Sequence, residues 1–549
     1  MPSPPRTSHS QKEVVPMRMA IVLALLSVAL LPFPALRAET VVVPAEQARL
    51  GGPGAALPGG GWNLWSNGVV GEWFEAERDG EIEVVVVAAG TPCLGSWPQS
   101  QVWVRTLDGQ EPVGPPLSIA SRDFRDFAAK ARVKKGWFAV LVDFTNDAQA
   151  GGEDRNLFLK EIRVTGARRL DRIPSVREAC AEGIRRHRMG TLSVRTEPNA
   201  PVKVTMLRHE FPFGTAIAHQ VWNAPAPVKE RYLEILKANF NHAVHENALK
   251  WYHTQRHGGE PDYTDAERVL AWCDENGISM RGHCVYWGVE KFVQPWLKSL
   301  DDAALRAALE KRGKEVTSRF KGRIAEYDLN NEMIHGDYYA KRLGPGITKE
   351  MFLWAKSGDP AARLYVNDYN ILSGTDGPRY ETHIRELLDR GVPVGGIGCQ
   401  GHFGGRVDGW HVRATLDRLA RFKLPIKITE YDAKGDEASK AESLDTLYRV
   451  AFSHPAVEGI LMWGFWEGAH WIPQAALWKR DFTPTPAAET YRKLVFQEWW
   501  TSFDGRADAA GRCDVPAFFG RHAVESGGKR VEVDLTRKAG QAIVAMAGG

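Results

Sequence analysis

The sequence predicts an α/β protein: a (β/α)8 TIM barrel preceded by an all-β sandwich of jelly-roll type, with a small C-terminal β appendage. Three observations carry this. From residue 211 onward, strand-like and amphipathic helical segments alternate eight times over about 290 residues, the length and rhythm of such a barrel. Before about residue 165, short alternating runs are split by clusters of Gly, Pro, Asn and Asp, with no helical period. No Gly-rich phosphate turn follows the first strand of the alternating part, which argues against an open nucleotide-binding sheet.

Taken in order, residues 1–38 read as a signal peptide and its extension. An apolar run at 20–36 follows Arg18, and Ala38 offers a cleavage point. The run contains Pro32 and Pro34 and is short for a span of roughly 20 residues. The expected product is secreted or periplasmic, monomeric, and free of the membrane once the leader is removed. Residues 39–60, rich in Pro, Gly and Ala, read as a linker, and 61–166 as the sandwich. Its strand runs are EIEVVVV at 81–87, QVWVR at 101–105, WFAVLVDF at 137–144 and LFLKEIRV at 157–164. Residues 167–207 form a connecting segment, with a basic helix carrying Ile173, Val176, Cys180 and Ile184 on one face and then a hairpin. The barrel occupies 208–500 and the appendage 501–549.

Composition narrows the function classes. With 70 basic and 67 acidic residues the net charge is +3, which gives no electrostatic case for nucleic acid. The 19 Trp and 13 Tyr suit sugar rings, and suit a core equally well. Six Cys are scattered with no CxxC pair, so no cysteine-built zinc site is expected; Cys284 and Cys399 fall in expected buried strands, which favours buried free thiols, with one or two disulfides of unassigned pairing the alternative in an exported protein.

Within the barrel the strands are expected at 211–218, 241–246, 279–287, 324–331, 363–368, 396–402, 425–430 and 459–464. Val412, Leu416, Leu419 and Phe422 share one helical face, as do Tyr380, Ile384, Leu387 and Leu388. Gly277 and Gly391 stand where helix C-caps are expected. Barrel chemistry gathers at the C-terminal ends of strands. Two strands end there in a carboxylate: IAEYDLNNEM places Glu332 beside Asn331, and PIKITEYD places Glu430 beside Thr429. These belong to strands four and seven, whose tips can converge across the mouth. Two carboxyl groups flanking a glycosidic bond, one protonated and one ionised, cleave it with retention when about 5–5.5 Å apart.

In the sandwich, FTNDAQAGGEDRNL at 144–157 brings Asn146, Asp147, Glu153 and Asp154 together on a Gly-rich loop. Oxygen ligands in that density suit Ca²⁺. The same residues also make an acidic surface loop held by Arg155, and the residues alone do not separate the two.

The ordered series FPFGTAIA, HENALKW, GHCVYW, DLNNEM, LYVNDYN, GIGCQGHF, ITEYD and MWGFWEGAHW resembles glycoside hydrolase family 10, the endo-β-1,4-xylanases, from residue 211 to 494. The resemblance implies a retaining endo-xylanase that needs no cofactor for catalysis, with xylan or a related β-1,4-linked plant polysaccharide as partner. It makes Glu332 the acid/base and Glu430 the nucleophile. Asn331 would bond the sugar 2-hydroxyl, and His402 would hold Glu430 ionised and aimed, with Gln400 nearby. Glu246, Asn247, Lys250 and His283 would grip the non-reducing side, and Trp287, Trp463 and Trp471 would wall the cleft, with Asn367 and Tyr369 contributing. The sandwich resembles calcium-dependent xylan-binding modules through FTNDA, DRNL and the Ser96-Trp97-Pro98 segment. That implies Ca²⁺ at Asp147 and Asp154. Three places depart from the family pattern and are expected to line the cleft: Tyr327 in place of Trp, Gly288 in place of His, and Glu467 with His470-Trp471 in the last strand. A binding protein that no longer turns over, and a glycanase for a related glucan, are the alternatives.

Overall fold

Strand alternation decides what each part of the chain buries. The computed structural model describes residues 39–106 and 109–546; the leader expected at 1–38 lies outside them. No helix among the described residues is long and apolar enough to cross a membrane. All six Cys are free and buried.

The N-terminal part folds as two facing antiparallel sheets. In one, Gly80–Gly90 lies between Leu157–Thr165 and Arg125–Val133; in the other, Gly136–Phe144 lies between Gly68–Ala76 and Gln99–Thr106. Every second residue points into the shared core: Ile82, Val84 and Val86 from one sheet, Phe74, Phe138, Val140 and Val142 from the other. The linker expected at 39–60 is corrected here. Thr40–Pro44 is an edge strand paired residue by residue with Leu157–Thr165, and Val43 is fully buried. Its TVVV run is strongly β-forming, and the Pro/Gly-rich stretch after it masks that signal.

The second correction concerns residues 167–207 and the appendage. Met189–Arg195 pairs with Arg512–Phe518 and Gln541–Ala545, and Pro201–His209 pairs with Ser502–Arg506 and Gly520–Ser526. These strands share one small core, including Leu192, Val204, Val515, Val524 and Val544. The segment leading into the barrel and the tail leaving it thus build one β module together. A closed barrel sets its first and last elements side by side, so the chain entering and the chain leaving emerge as neighbours.

Between them the eight-stranded parallel barrel closes. Its strands are Phe213–Ile217, His242–His245, Ser279–Gly282 (continued by Tyr286–Trp287), Ile324–Asn331, Arg363–Asp368, Gly396–Cys399, Ile426–Ala433 and Val457–Met462. Each pairs in parallel with the next, and the first pairs with the eighth. On the two helical faces read from sequence Val412, Leu416, Leu419, Tyr380, Ile384 and Leu387 are buried and Phe422 and Leu388 half-buried, and Gly277 and Gly391 adopt φ of 64° and 68° just past helix ends, a conformation that favours glycine.

The sandwich sits directly on the barrel. The outer face of its second sheet, carrying Trp73, Ala139 and Leu141, packs against the barrel helix Gly409–Ala420, with Trp73 and Trp410 ring centroids 5.1 Å apart. Arg421 stacks over Trp103 at 3.5 Å, and buried Arg105 pairs with buried Asp417 at 3.0 Å. Asp417 also pairs with Arg413 and His454 at 3.0 and 3.2 Å. Removing one partner of a buried ionic cluster strands the other charges, at a cost of about 3–5 kcal/mol. Asp417→Ala is therefore expected to lower stability by about that amount, measured as a fall in the urea midpoint.

Candidate active site

Strand four alternates cleanly at first. Glu326 and Asp328 point into the barrel, while Tyr327 points outward and is fully buried beneath the helices against Gly282. Tyr327 is therefore not a cleft residue, contrary to expectation, because strand period two sends it to the opposite face from its neighbours. Gly282 accommodates the ring, since a Cβ there would lie 2.2 Å from it. The pairing with strand five then slips between Asp328 and Asn331, and Glu332 follows at φ 61°. Such irregularities re-aim side chains at barrel rims. Here the slip brings Asn331 and Glu332 together at the mouth.

Glu332 is surrounded by donors. Trp287 Nε1 donates to its Oε2 at 3.0 Å and Gln400 Nε2 to its Oε1 at 3.1 Å. Burial raises its pKa, and the nearby charges of Glu430 and Asp368 add to that rise. Glu430 has a different setting. Asn367 Nδ2 donates to its Oε1 at 2.9 Å, and His402 Nε2 lies 3.3 Å from its Oε2. The other ring nitrogen of His402 lies 3.0 Å from Asp432 Oδ2. Burial opposes a charge on His402, but its hydrogen bonds to Asp432 and Glu430 outweigh it and push the pKa up to about 10. The imidazole is therefore a cation at neutral pH. A carboxyl group that holds its proton longer than usual thus faces a carboxylate flanked by an imidazolium and an amide. That is the equipment for one group to donate a proton while the other acts as nucleophile.

Asn367 ties the pair together. Its Nδ2 also donates to Asn331 Oδ1 at 2.9 Å, and its Oδ1 accepts from Thr429 at 2.6 Å. Asn331 spends its oxygen inside the network, so what it can offer a ligand is its Nδ2.

The remaining expected residues lie in or beside this network. Lys250 Nζ donates to Asn247 Oδ1 at 3.1 Å and lies 4.7 Å from the Trp287 ring and 5.6 Å from that of Trp463. Glu246 is buried, which raises its pKa despite Lys250. His283 lies 2.9 Å from Asp328 and meets Trp463 edge to face. Trp471 is half exposed and donates to Asp432 at 2.7 Å. Tyr369 is exposed and stacks on His335 at 3.7 Å.

Two further departures take different places from those expected. Gly288 has no room for a side chain: a Cβ would sit 2.9 Å from Asp337 Oδ1, and its amide donates to Asn330. Glu467 accepts the Arg480 amide at 2.7 Å and serves the loop rather than the cleft. His470 is buried beside His402 and Asp432, with Nδ1 accepting the Ile472 amide; burial drives its pKa down to about 4, so it stays neutral.

Sequence reasoning missed Asp432 as a site residue. It lies two positions beyond Glu430 in one strand, the spacing that puts both on the same face, so period two alone would have found it. His335, paired with Asp368 at 2.6 Å, carries no such signal, because its place depends on loop geometry.

In the sandwich loop, Arg155 forms a floor beneath the acidic residues, donating to the carbonyls of Ser96, Asn146 and Cys93. Asn146 and Glu153 are spent on the loop, accepting the Gln99 and Leu94 amides. Asp147, which bonds the Ala148 amide, and Asp154, which accepts from Asn156, are only partly spent. Asp147 Oδ1 is buried without a partner, and its pKa is raised by burial and by the charge of Asp154. Asn156, whose Nδ2 donates to Asp154, also has a buried Oδ1 without a partner. Unsatisfied oxygens beside two carboxylates fit Ca²⁺.

The chain has known relatives. The profile of glycosyl hydrolase family 10 matches residues 203–494, and that of the Ca-dependent xylan-binding carbohydrate-binding modules matches 83–177. The chain belongs to glycosyl hydrolase family 10. It is 39% identical over 328 residues to the anti-sigma-I factor RsgI6 of Acetivibrio thermocellus, covering 59% of this chain and 42% of that one. It is 33% identical over 427 residues to endo-1,4-beta-xylanase 1 of Arabidopsis thaliana, covering 76% and 44%. The chain thus spans less than half the length of these two relatives. The crystal structure of native xylanase 10B from Thermotoga maritima is 28% identical, covers 52% of this chain and 95% of its own, and has a TM-score of 0.49.

Gln400 donates to Glu332, which favours the ionised form. Gln400→Leu removes that donor, so Glu332 is expected to titrate at higher pH than in the parent. Side-chain carboxyl NMR across the acid range reads the shift.

Proposed function

We propose that this chain is a retaining endo-β-1,4-xylanase that acts on xylan outside the cytoplasm. The observation that carries this reading is the unequal housing of two neighbouring carboxyl groups. Glu332 has a raised pKa and faces the mouth; Glu430 sits against the His402 cation and the Asn367 amide.

In the first step Glu430 attacks the anomeric carbon while Glu332 gives its proton to the departing oxygen, leaving a glycosyl-enzyme ester. In the second step Glu332, now ionised, takes a proton from water, which attacks the same carbon and frees Glu430. The two inversions retain configuration. Asn331 Nδ2 bonds the 2-hydroxyl, which tightens as charge develops. Glu246, Asn247, Lys250 and His283 hold the non-reducing side, and Trp287, Trp463 and Trp471 pack against the sugar rings. Membership of family 10, and the name of the Arabidopsis relative, support xylan as the polymer. A polymer this large is met outside the membrane, which agrees with the leader expected at 1–38.

Asp147, Asp154 and Asn156 would hold Ca²⁺ in the sandwich, where the ion supplies open coordination positions for sugar hydroxyls. The loop's orphaned oxygens support this. The sandwich would keep the enzyme on its substrate and take no part in bond cleavage.

Glu332→Gln and Glu430→Gln are each expected to lower kcat on xylan by at least about 10²–10⁴-fold, with the anomeric configuration of parent products retained by NMR. Full activity in either variant, or release of oligosaccharides from β-glucan in preference to xylan, overturns the reading. Chelation with EGTA is expected to weaken retention on insoluble xylan and to leave hydrolysis of short xylo-oligosaccharides unchanged, with Ca²⁺ restoring retention.

A further inference from the structure

Away from the cleft floor, the first two strand-to-helix connections of the barrel rim bring two imidazoles to one carboxylate. His219 stands on the short helix His219–Asn223 after the first barrel strand. His253 stands on the turn Trp251–Thr254 after the second, and Asp265 on the first turn of the helix Thr264–Glu275 that follows. One ligand atom from each lies within 4.8 Å of the others. His253 Nε2 is 3.0 Å and His219 Nε2 3.6 Å from the same oxygen, Asp265 Oδ2. The two rings are 4.5 Å apart.

A His253–Asp265 hydrogen bond alone is an ordinary rim contact. It does not account for His219. That ring reaches the shared oxygen only at 3.6 Å, and its Nδ1 is buried with no partner. A neutral imidazole offers a metal the lone pair of one ring nitrogen. Two donors each about 2.0–2.1 Å from a tetrahedral zinc ion stand about 3.3–3.4 Å apart. The separations of 3.0 and 3.6 Å bracket that spacing. The side chains are 15–27% exposed, which leaves room for water in the fourth position. Two imidazoles with one carboxylate suit zinc and do not suit calcium, whose ligands are oxygens.

We infer that His219, His253 and Asp265 form a Zn²⁺ site that staples the first two connections of the barrel rim to each other. Its nearest consequence is mechanical. His253 lies three residues after Lys250, so an ion here anchors the turn that carries Lys250 and Asn247.

The test uses the full chain without a histidine tag, in excess Ca²⁺ so that the sandwich loop is filled in every sample. Zn²⁺ is titrated at neutral pH; bound metal is measured after equilibrium dialysis and unfolding by scanning calorimetry. The parent is expected to take up one Zn²⁺ at micromolar concentration and to gain about 2–4 °C in Tm. His219→Ala leaves the His253–Asp265 hydrogen bond in place, so it should fold as the parent does. Having lost one of three protein ligands, it should bind Zn²⁺ at least about tenfold more weakly. His253→Gln should lose both uptake and the Tm gain. Zn²⁺ uptake in both variants equal to the parent, or no uptake by the parent up to about 100-fold above micromolar, overturns the proposal.

Discussion

A layer of paired charges beneath the barrel mouth holds the two strands that carry Glu332 and Glu430. Glu326 of strand four pairs with Lys427 of strand seven, and also with Arg281 at 3.2 Å and His242 at 3.4 Å. Burial opposes ionisation of Glu326, but Lys427, His242 and Arg281 outweigh it and hold its pKa well below the usual carboxylate range. One level up, Asp328 pairs with the fully buried Arg281 and with His283. Such charges survive in a protein interior only when every one is answered. The requirement makes the layer a tie: strand four cannot move relative to strand seven without breaking it. Glu332 and Glu430 stand at the free ends of those strands.

The tie also explains how two like carboxyl groups can be housed so differently within one cavity. His402, which follows the sixth barrel strand and is itself bonded to Asp432 of strand seven, sets an imidazolium against Glu430. Strand four, slipped at its end, delivers Glu332 to neutral donors from Trp287 and Gln400. Asn367 lies between them: its side chain bonds Glu430, Asn331 and Thr429, and its backbone carbonyl accepts the Glu332 amide at 2.9 Å, so it ties the two strand ends together without its side chain bonding the Glu332 carboxyl group. The asymmetry is thus a property of strand ends and their neighbours, not of the two glutamates themselves.

Much of this is legible in the chain. Strand and helix periods give the barrel, and polar residues crowding strand ends give its active rim. What is not legible depends on contacts distant in sequence. Thr40–Pro44 reads as linker because its partner lies more than a hundred residues on. The segment before the barrel and the tail after it read as separate scraps because each supplies only part of one core. Tyr327 matches a motif position that implies the cleft, although the alternation of its own strand points it outward. His219, His253 and Asp265 share no motif, since two separate connections have to fold before they meet.

The sandwich rests on the helix Gly409–Ala420 through Trp73, Trp410, Trp103, Arg105 and Asp417, so one of its sheets is covered on both faces. This contact turns a potential tether into a ruler. A binding module on a loose cord lets an enzyme search a sphere of polymer around its anchor. A module seated on the barrel instead presents the cleft at one fixed bearing and distance from the chain it grips. Under the proposed function, hydrolysis would then clear only the bonds at that offset, and advance along the polymer would be set by how fast the sandwich lets go and takes hold again.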